Sequence, residues 1–76
     1  MQDIIKQRII VAMPEAQVEV SSADGVHFQA YICSAEFEGK SPVARHRLVY
    51  AALGDLMAEQ VHALQLTTVT PGEATC

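Results

Sequence analysis

The sequence predicts an α+β fold in the order α-β-β-α-β, with a three-stranded mixed sheet and both helices on one of its faces. Three observations lead there. Residues 17–34 hold two alternating stretches on either side of Asp24-Gly25, a strong hairpin dipeptide. Residues 37–57, FEGKSPVARHRLVYAALGDLM, read as a loop feeding the longest helix of the chain, and a third alternating stretch follows it. A helical connection between two strands favours parallel pairing with a right-handed crossover, so the third strand should lie beside the second.

The elements follow in order. Asp3 to Ala12 is a helix candidate: Ile5, Ile9 and Ala12 share a face, Lys6 and Gln7 offer a wet one, and Asp3 is placed to cap it. Pro14 ends it, because the residue before proline avoids the helical region. Gln17 to Ser21 alternates, with Val18 and Val20 on one side and Gln17, Glu19 and Ser21 on the other. After the Ser22-Ala23-Asp24-Gly25 turn, Val26 to Ser34 is the second strand. Phe28, Ala30 and Ile32 point one way; His27, Gln29, Tyr31 and Cys33 point the other. Ala35 to Lys40 is a loop. Ser41 is a good N-cap, since its hydroxyl can accept an orphan backbone N–H, and Pro42 suits the first helical position. Val49, Leu53, Leu56 and Met57 then recur at helical spacing, flanked by Val43 and Tyr50, and the helix should run to about Glu59. His62 to Val69 is the third strand, with Leu64 and Leu66 in the core. Thr70-Pro71-Gly72-Glu73 is a capping box with proline at the first position. It starts a helix that has almost no body, so the segment from Gly72 to Cys76 is expected to be mobile and residues 70–76 to form a flexible tail.

Seventy-six residues bound the chain to a single domain, 1–76, with one small core and no room for a deep substrate pocket. A net charge of −4 with scattered acids argues against broad attraction to nucleic acid, while a local basic patch stays open. Two cysteines without a CxxC pattern signal neither a disulfide framework nor a dithiol site. Cys33 is expected on the open face of its strand and Cys76 as an exposed, reactive terminal thiol. No leader and no membrane-length apolar run is read, so the expectation is a soluble protein of a reducing compartment, the cytoplasm. No nucleophile motif or distinctive carboxylate pair points to catalysis, and a non-enzymatic role is expected.

Parallel neighbours begin at the same end of a sheet. His27 opens the second strand and His62 the third, so both should lie at one rim. Spacing leaves two readings open. The pair could bind a soft or borderline metal, meeting at the rim because strand parity sends the two rings from opposite faces. Alternatively, His62 hydrogen-bonds a helix-end carbonyl and His27 faces solvent. At the other end of the long helix, Lys40, Arg45 and Arg47 either hold phosphate near the helix N-terminus or form a solvated positive face. His46, between the two arginines, reads as a half-buried boundary residue.

Beyond spacing, the segments Ser34-Ala35-Glu36-Phe37-Glu38-Gly39-Lys40-Ser41 and Arg45-His46-Arg47-Leu48-Val49-Tyr50 fit the pattern FxGxxxVxRHRxVY. His62-Ala63-Leu64 and Thr68-Val69-Thr70-Pro71-Gly72-Glu73 fit HALxLxTxTPxE. In type and order these resemble the BolA family over nearly the whole chain. The turn Asp24-Gly25-Val26-His27-Phe28-Gln29 is most similar to its short-loop bacterial branch, the IbaG acid-stress proteins. The resemblance implies a BolA-like fold akin to a class II KH domain, here with the third helix truncated. It implies a monothiol glutaredoxin as partner and a bridging [2Fe-2S] cluster shared with it, the glutaredoxin side supplying a cysteine thiolate and a glutathione thiolate. On this chain it implies His62 as one ligand and a second from the loop before the second strand. Where some relatives carry cysteine or histidine, that loop reads Ala23-Asp24-Gly25-Val26, which leaves His27 as the candidate. Alone, the protein is expected to be a monomer or weak homodimer with no cofactor. The resemblance also implies a second activity, DNA binding by a transcriptional regulator, carried by Lys40, Arg45 and Arg47.

Overall fold

A computed structural model of the chain describes residues 1–57 and 63–74. The elements are α1 (Gln2–Ala12), β1 (Gln17–Ser21), β2 (Phe28–Cys33), α2 (Pro42–Leu53) and β3 (Leu64–Val69), with short 3-10 turns at Ala35–Phe37 and Gly54–Met57. The sheet order is β1-β2-β3. β1 pairs antiparallel to β2, with Val18 opposite Ile32 and Val20 opposite Ala30. β2 pairs parallel to β3, with Phe28 opposite Leu64 and Ala30 opposite Leu66. The predicted α+β class and mixed sheet are therefore the observed ones.

The alternation of the strands decides which sheet face is covered. Val18, Phe28, Ala30, Ile32 and Leu64 join Ile5, Ile9 and Met13 before β1 and Val49 and Leu53 of α2 in one core cluster. Both helices thus lie on the same face. The stripe of the first helix continues through Met13, four residues beyond Ile9 and 2% exposed, whereas the expected Ala12 is exposed. Phe37, placed by sequence in a loop, is fully buried at the end of its 3-10 turn and belongs to the core cluster. The turn is capped by Ser34, whose Oγ accepts the Glu36 N–H at 3.1 Å.

Ser41 caps α2 as expected: its Oγ accepts the Ala44 N–H at 3.2 Å, and Pro42 takes the first helical position. The helix stops earlier than expected. Gly54 adopts φ 58°, and its N–H bonds the Tyr50 carbonyl, so the α-helix ends at Leu53 and a 3-10 turn carries on to Met57. A side chain at Gly54 would be strained in that left-handed conformation, which makes glycine the stop signal that the apolar spacing hid. Arg8 of α1 donates from Nη1 to the Leu53 carbonyl at 3.1 Å, satisfying one of the last orphan acceptors of α2. The remainder of the expected helix, to Glu59, lies outside the described residues.

Two further expectations change. β2 begins at Phe28, two residues later than expected, because Val26 and His27 belong to the preceding loop. Cys33 keeps its parity with Gln29 and Tyr31 but is 1% exposed and is not a free thiol, so it does not present itself on the open face. It sits at the end of the central strand, where both neighbours, Gln17 and Val69, are paired to it. Cys76 lies outside the described residues. Among the described residues no helix is long and apolar enough to cross a membrane.

Candidate metal-binding rim and basic helix start

The loop between β1 and β2 is built by two short polar side chains. Ser22 Oγ accepts the Gly25 N–H at 2.8 Å and donates to the His27 carbonyl at 2.6 Å, tying the middle and the end of the loop to its start. Asp24 Oδ1 accepts the Val26 N–H at 2.9 Å and the His27 N–H at 2.8 Å, an Asx-type turn. Gly25 makes the reversal possible with φ 75°. The second carboxylate oxygen, Oδ2, lies 2.8 Å from Nδ1 of His27. These bonds hold the Asp24 carboxyl well below the usual carboxylate range, the His27 side chain first, then the backbone N–H groups of His27 and Val26.

His27 is therefore not a loose surface imidazole. Its side chain is 72% exposed, yet one ring nitrogen is engaged inside the loop, which leaves Nε2 for an external partner. The ring borders a cleft of about 590 Å³ whose walls include Ser22, Asp24, Phe28, Ala63 and Gln65. Across it, Gln29 Nε2 donates to Gln65 Oε1 at 3.4 Å, joining β2 to β3 on the open face. The parallel register explains why Ala63 is here: Phe28 and Leu64 are partners, so the residues preceding them lie at the same rim. His62, the other expected ligand, lies outside the described residues; its neighbour in sequence, Ala63, shares the cleft with His27.

The rim presents one exposed imidazole whose other nitrogen is backed by a carboxylate, the pairing that orients a metal-ligating histidine. Among the described residues no three His, Cys, Asp or Glu side chains gather as a metal site. A metal held here would draw on further donors.

The basic trio divides. Arg45 turns inward, its side chain 12% exposed. Its Nε donates to the Lys40 carbonyl at 3.0 Å and its Nη1 to the Thr68 carbonyl at 3.3 Å. A fork to Glu73 completes the set, Nη1 to Oε1 at 2.7 Å and Nη2 to Oε2 at 3.1 Å. The guanidinium also stands 6.0 Å from the Phe37 ring centroid. Arg45 thus clamps α2 to the end of β3, while Lys40 and Arg47 are exposed. His46 is half-buried, as its position suggested.

The clamp's far side is the capping box read from the sequence. Glu73 Oε1 accepts the Thr70 N–H at 3.0 Å, and Thr70 Oγ1 accepts the Glu73 N–H at 3.2 Å. Thr70 is buried. These bonds, with the Ala74 N–H donating to the Thr70 carbonyl at 3.1 Å, shape the turn through Ala74; residues 75 and 76 lie outside the described residues. Arg45 first, then the Thr70 N–H, bring the Glu73 carboxyl down to about 2. In turn, Glu73 raises the Arg45 guanidinium.

Sequence reasoning found His27 but missed Asp24 behind it and the partnership of Glu73 with Arg45. The first had a local signal, serine, aspartate and histidine around a glycine in one short loop. The second joins residues 28 apart in sequence and had none.

Residues 4–73 match the family described as BolA-like protein. The chain is 49% identical over 47 residues to BolA-like protein 1 of Bos taurus, covering 62% of this chain and 35% of the bovine one. It is 47% identical over 47 residues to the DNA-binding transcriptional regulator BolA of Vibrio cholerae, covering 62% of this chain and 44% of that one. These matches cover less than half of either curated relative's length. Among solved structures it is similar to a bolA protein homologue from Coxiella burnetii, with 43% identity and a TM-score of 0.80 over 96% of this chain and 94% of that one.

Proposed function

This chain belongs to the BolA-like protein family, and from that premise we propose that it is a non-enzymatic iron–sulfur accessory protein. In this reading it binds a monothiol glutaredoxin and shares a bridging [2Fe-2S] cluster with it, in iron–sulfur trafficking or a stress response. The observation that carries the reading is His27: an exposed imidazole, anchored at Nδ1, on the same rim as the residue that follows His62.

His27 and His62 are the residues of this chain that would hold the cluster, and glutaredoxin and glutathione would supply thiolates. When bound, such a centre supplies electron storage, with histidine in place of thiolate raising its potential. The chain's own part is to orient donors. The loop bonds of Ser22 and Asp24 fix the backbone of His27, so little ordering remains to oppose binding. The cleft beside the ring opens to solvent and holds about 590 Å³, so a partner's thiolates could reach the same space.

The test is to mix the protein with cluster-loaded monothiol glutaredoxin and record the visible absorption and circular dichroism. A new spectrum that depends on the histidines supports the proposal; the unaltered glutaredoxin spectrum refutes it.

A second reading has its own support. The Vibrio cholerae relative is named as a DNA-binding transcriptional regulator, and Lys40 and Arg47 stand exposed around the N-terminal turns of α2. DNA binding through these two side chains is the alternative, with Arg45 acting as the clamp behind them.

A further inference from the structure

We propose that Asp24 is a positioning residue for His27, fixing the imidazole in the tautomer protonated at Nδ1 and aiming the Nε2 lone pair out of the loop toward a metal centre. The inference rests on the reading of His27 as a ligand and deepens it. Asp24 does not itself bind metal in this account.

The geometry supplies the argument. Two backbone N–H groups, from Val26 and His27, occupy Asp24 Oδ1, so the carboxylate cannot turn without breaking the loop. Ser22 Oγ holds the Gly25 N–H and the His27 carbonyl, so the backbone beneath the ring is also fixed. Oδ2 then has one partner, His27 Nδ1 at 2.8 Å. An ionised carboxylate can only accept, so Nδ1 must carry the proton and donate. In the neutral ring the lone pair is then on Nε2, at the end of a side chain that is 72% exposed. This is the arrangement by which a carboxylate sets tautomer, orientation and basicity of a metal-ligating histidine.

The substitution Asp24→Asn makes the inference testable. Asparagine keeps an oxygen for the two backbone N–H groups but places an amide NH2 where Oδ2 stood. That group donates, so Nδ1 would become the acceptor and the proton would move to Nε2, blocking the outward lone pair. Long-range 15N–1H NMR on the metal-free chain, at a pH where the ring is neutral, reads the tautomer without any cluster. The expected result is predominantly Nδ1–H in the unaltered chain and Nε2–H in Asp24→Asn. With cluster-loaded glutaredoxin, Asp24→Asn should weaken formation of the mixed cluster by about 10–100-fold. An unaltered chain with predominantly Nε2–H, or an Asp24→Asn chain matching it in tautomer and cluster, would overturn the inference. If His27→Ala loses the mixed cluster while Asp24→Asn keeps it in full, the inference fails and the ligand reading stands. If His27→Ala keeps the mixed cluster, the ligand reading fails and takes the inference with it.

Discussion

Arg45 Nη1 and Glu73 Oε1 stand 2.7 Å apart and tie the first turns of α2 to the turn that follows β3. The same carboxylate oxygen accepts the Thr70 N–H, so one glutamate closes a capping box and receives an arginine fork. The pairing has a pH signature. Glu73 titrates near 4.5 when unpaired and at about 2 in the fold. A carboxyl lowered by folding contributes stability above its unfolded pKa, and that contribution is lost as the pH falls through the folded pKa. Unfolding followed against pH should show unaltered protein and Glu73→Gln differing near neutrality and converging between about pH 4.5 and about pH 2. A gap that stays constant across that window would contradict the clamp.

Ser41→Ala removes the Oγ that accepts the Ala44 N–H and should cost on the order of 1 kcal/mol in denaturant unfolding. An unchanged midpoint would mean that the cap contributes nothing to α2.

Ile32 is fully buried near the C-terminal end of the central strand and joins the core cluster with residues of both helices. Ile32→Ala should destabilise by about 2–5 kcal/mol through lost burial and the cavity left behind. That is a large share of what a domain this size has, roughly 0.05–0.15 kcal/mol per residue. A loss under 1 kcal/mol, on the order of a surface change, would argue that the core is not centred there.

How much of this was legible in the sequence depends on the range of each interaction. The strand parity of Val18, Phe28, Ala30 and Ile32, the Ser41-Pro42 start and the Thr70–Glu73 capping box are local signals, and each reappears in the structure. The α2 stop was misread because Gly54 lies inside an apolar run that continues at helical spacing, and the backbone reversal at φ 58° overrides it. Cys33 was misjudged because its burial comes with strand neighbours distant in sequence, Gln17 and Val69. At the rim, His27 was visible as a residue type at a strand start. The carboxylate that holds it was read only as turn chemistry.

If the second reading holds, the two exposed cations and the clamped one should behave differently. A Lys40→Ala/Arg47→Ala chain should bind duplex DNA more weakly and lower the salt slope by about 2, roughly one per lost phosphate contact. Arg45→Ala should instead act through stability, since its guanidinium is engaged by Glu73 and two carbonyls. Equal salt slopes for the double variant and the unaltered chain would remove Lys40 and Arg47 from any DNA contact.

The proposed function rests on this chain contributing histidine ligands to a cluster shared with a monothiol glutaredoxin. Its most direct test is the visible circular dichroism of cluster-loaded glutaredoxin titrated with the unaltered chain and with His62→Ala. A new, saturable spectrum is expected with the unaltered chain and its loss with His62→Ala, while both chains keep the same far-ultraviolet spectrum. The same mixed spectrum from His62→Ala, or no change with the unaltered chain, would contradict it.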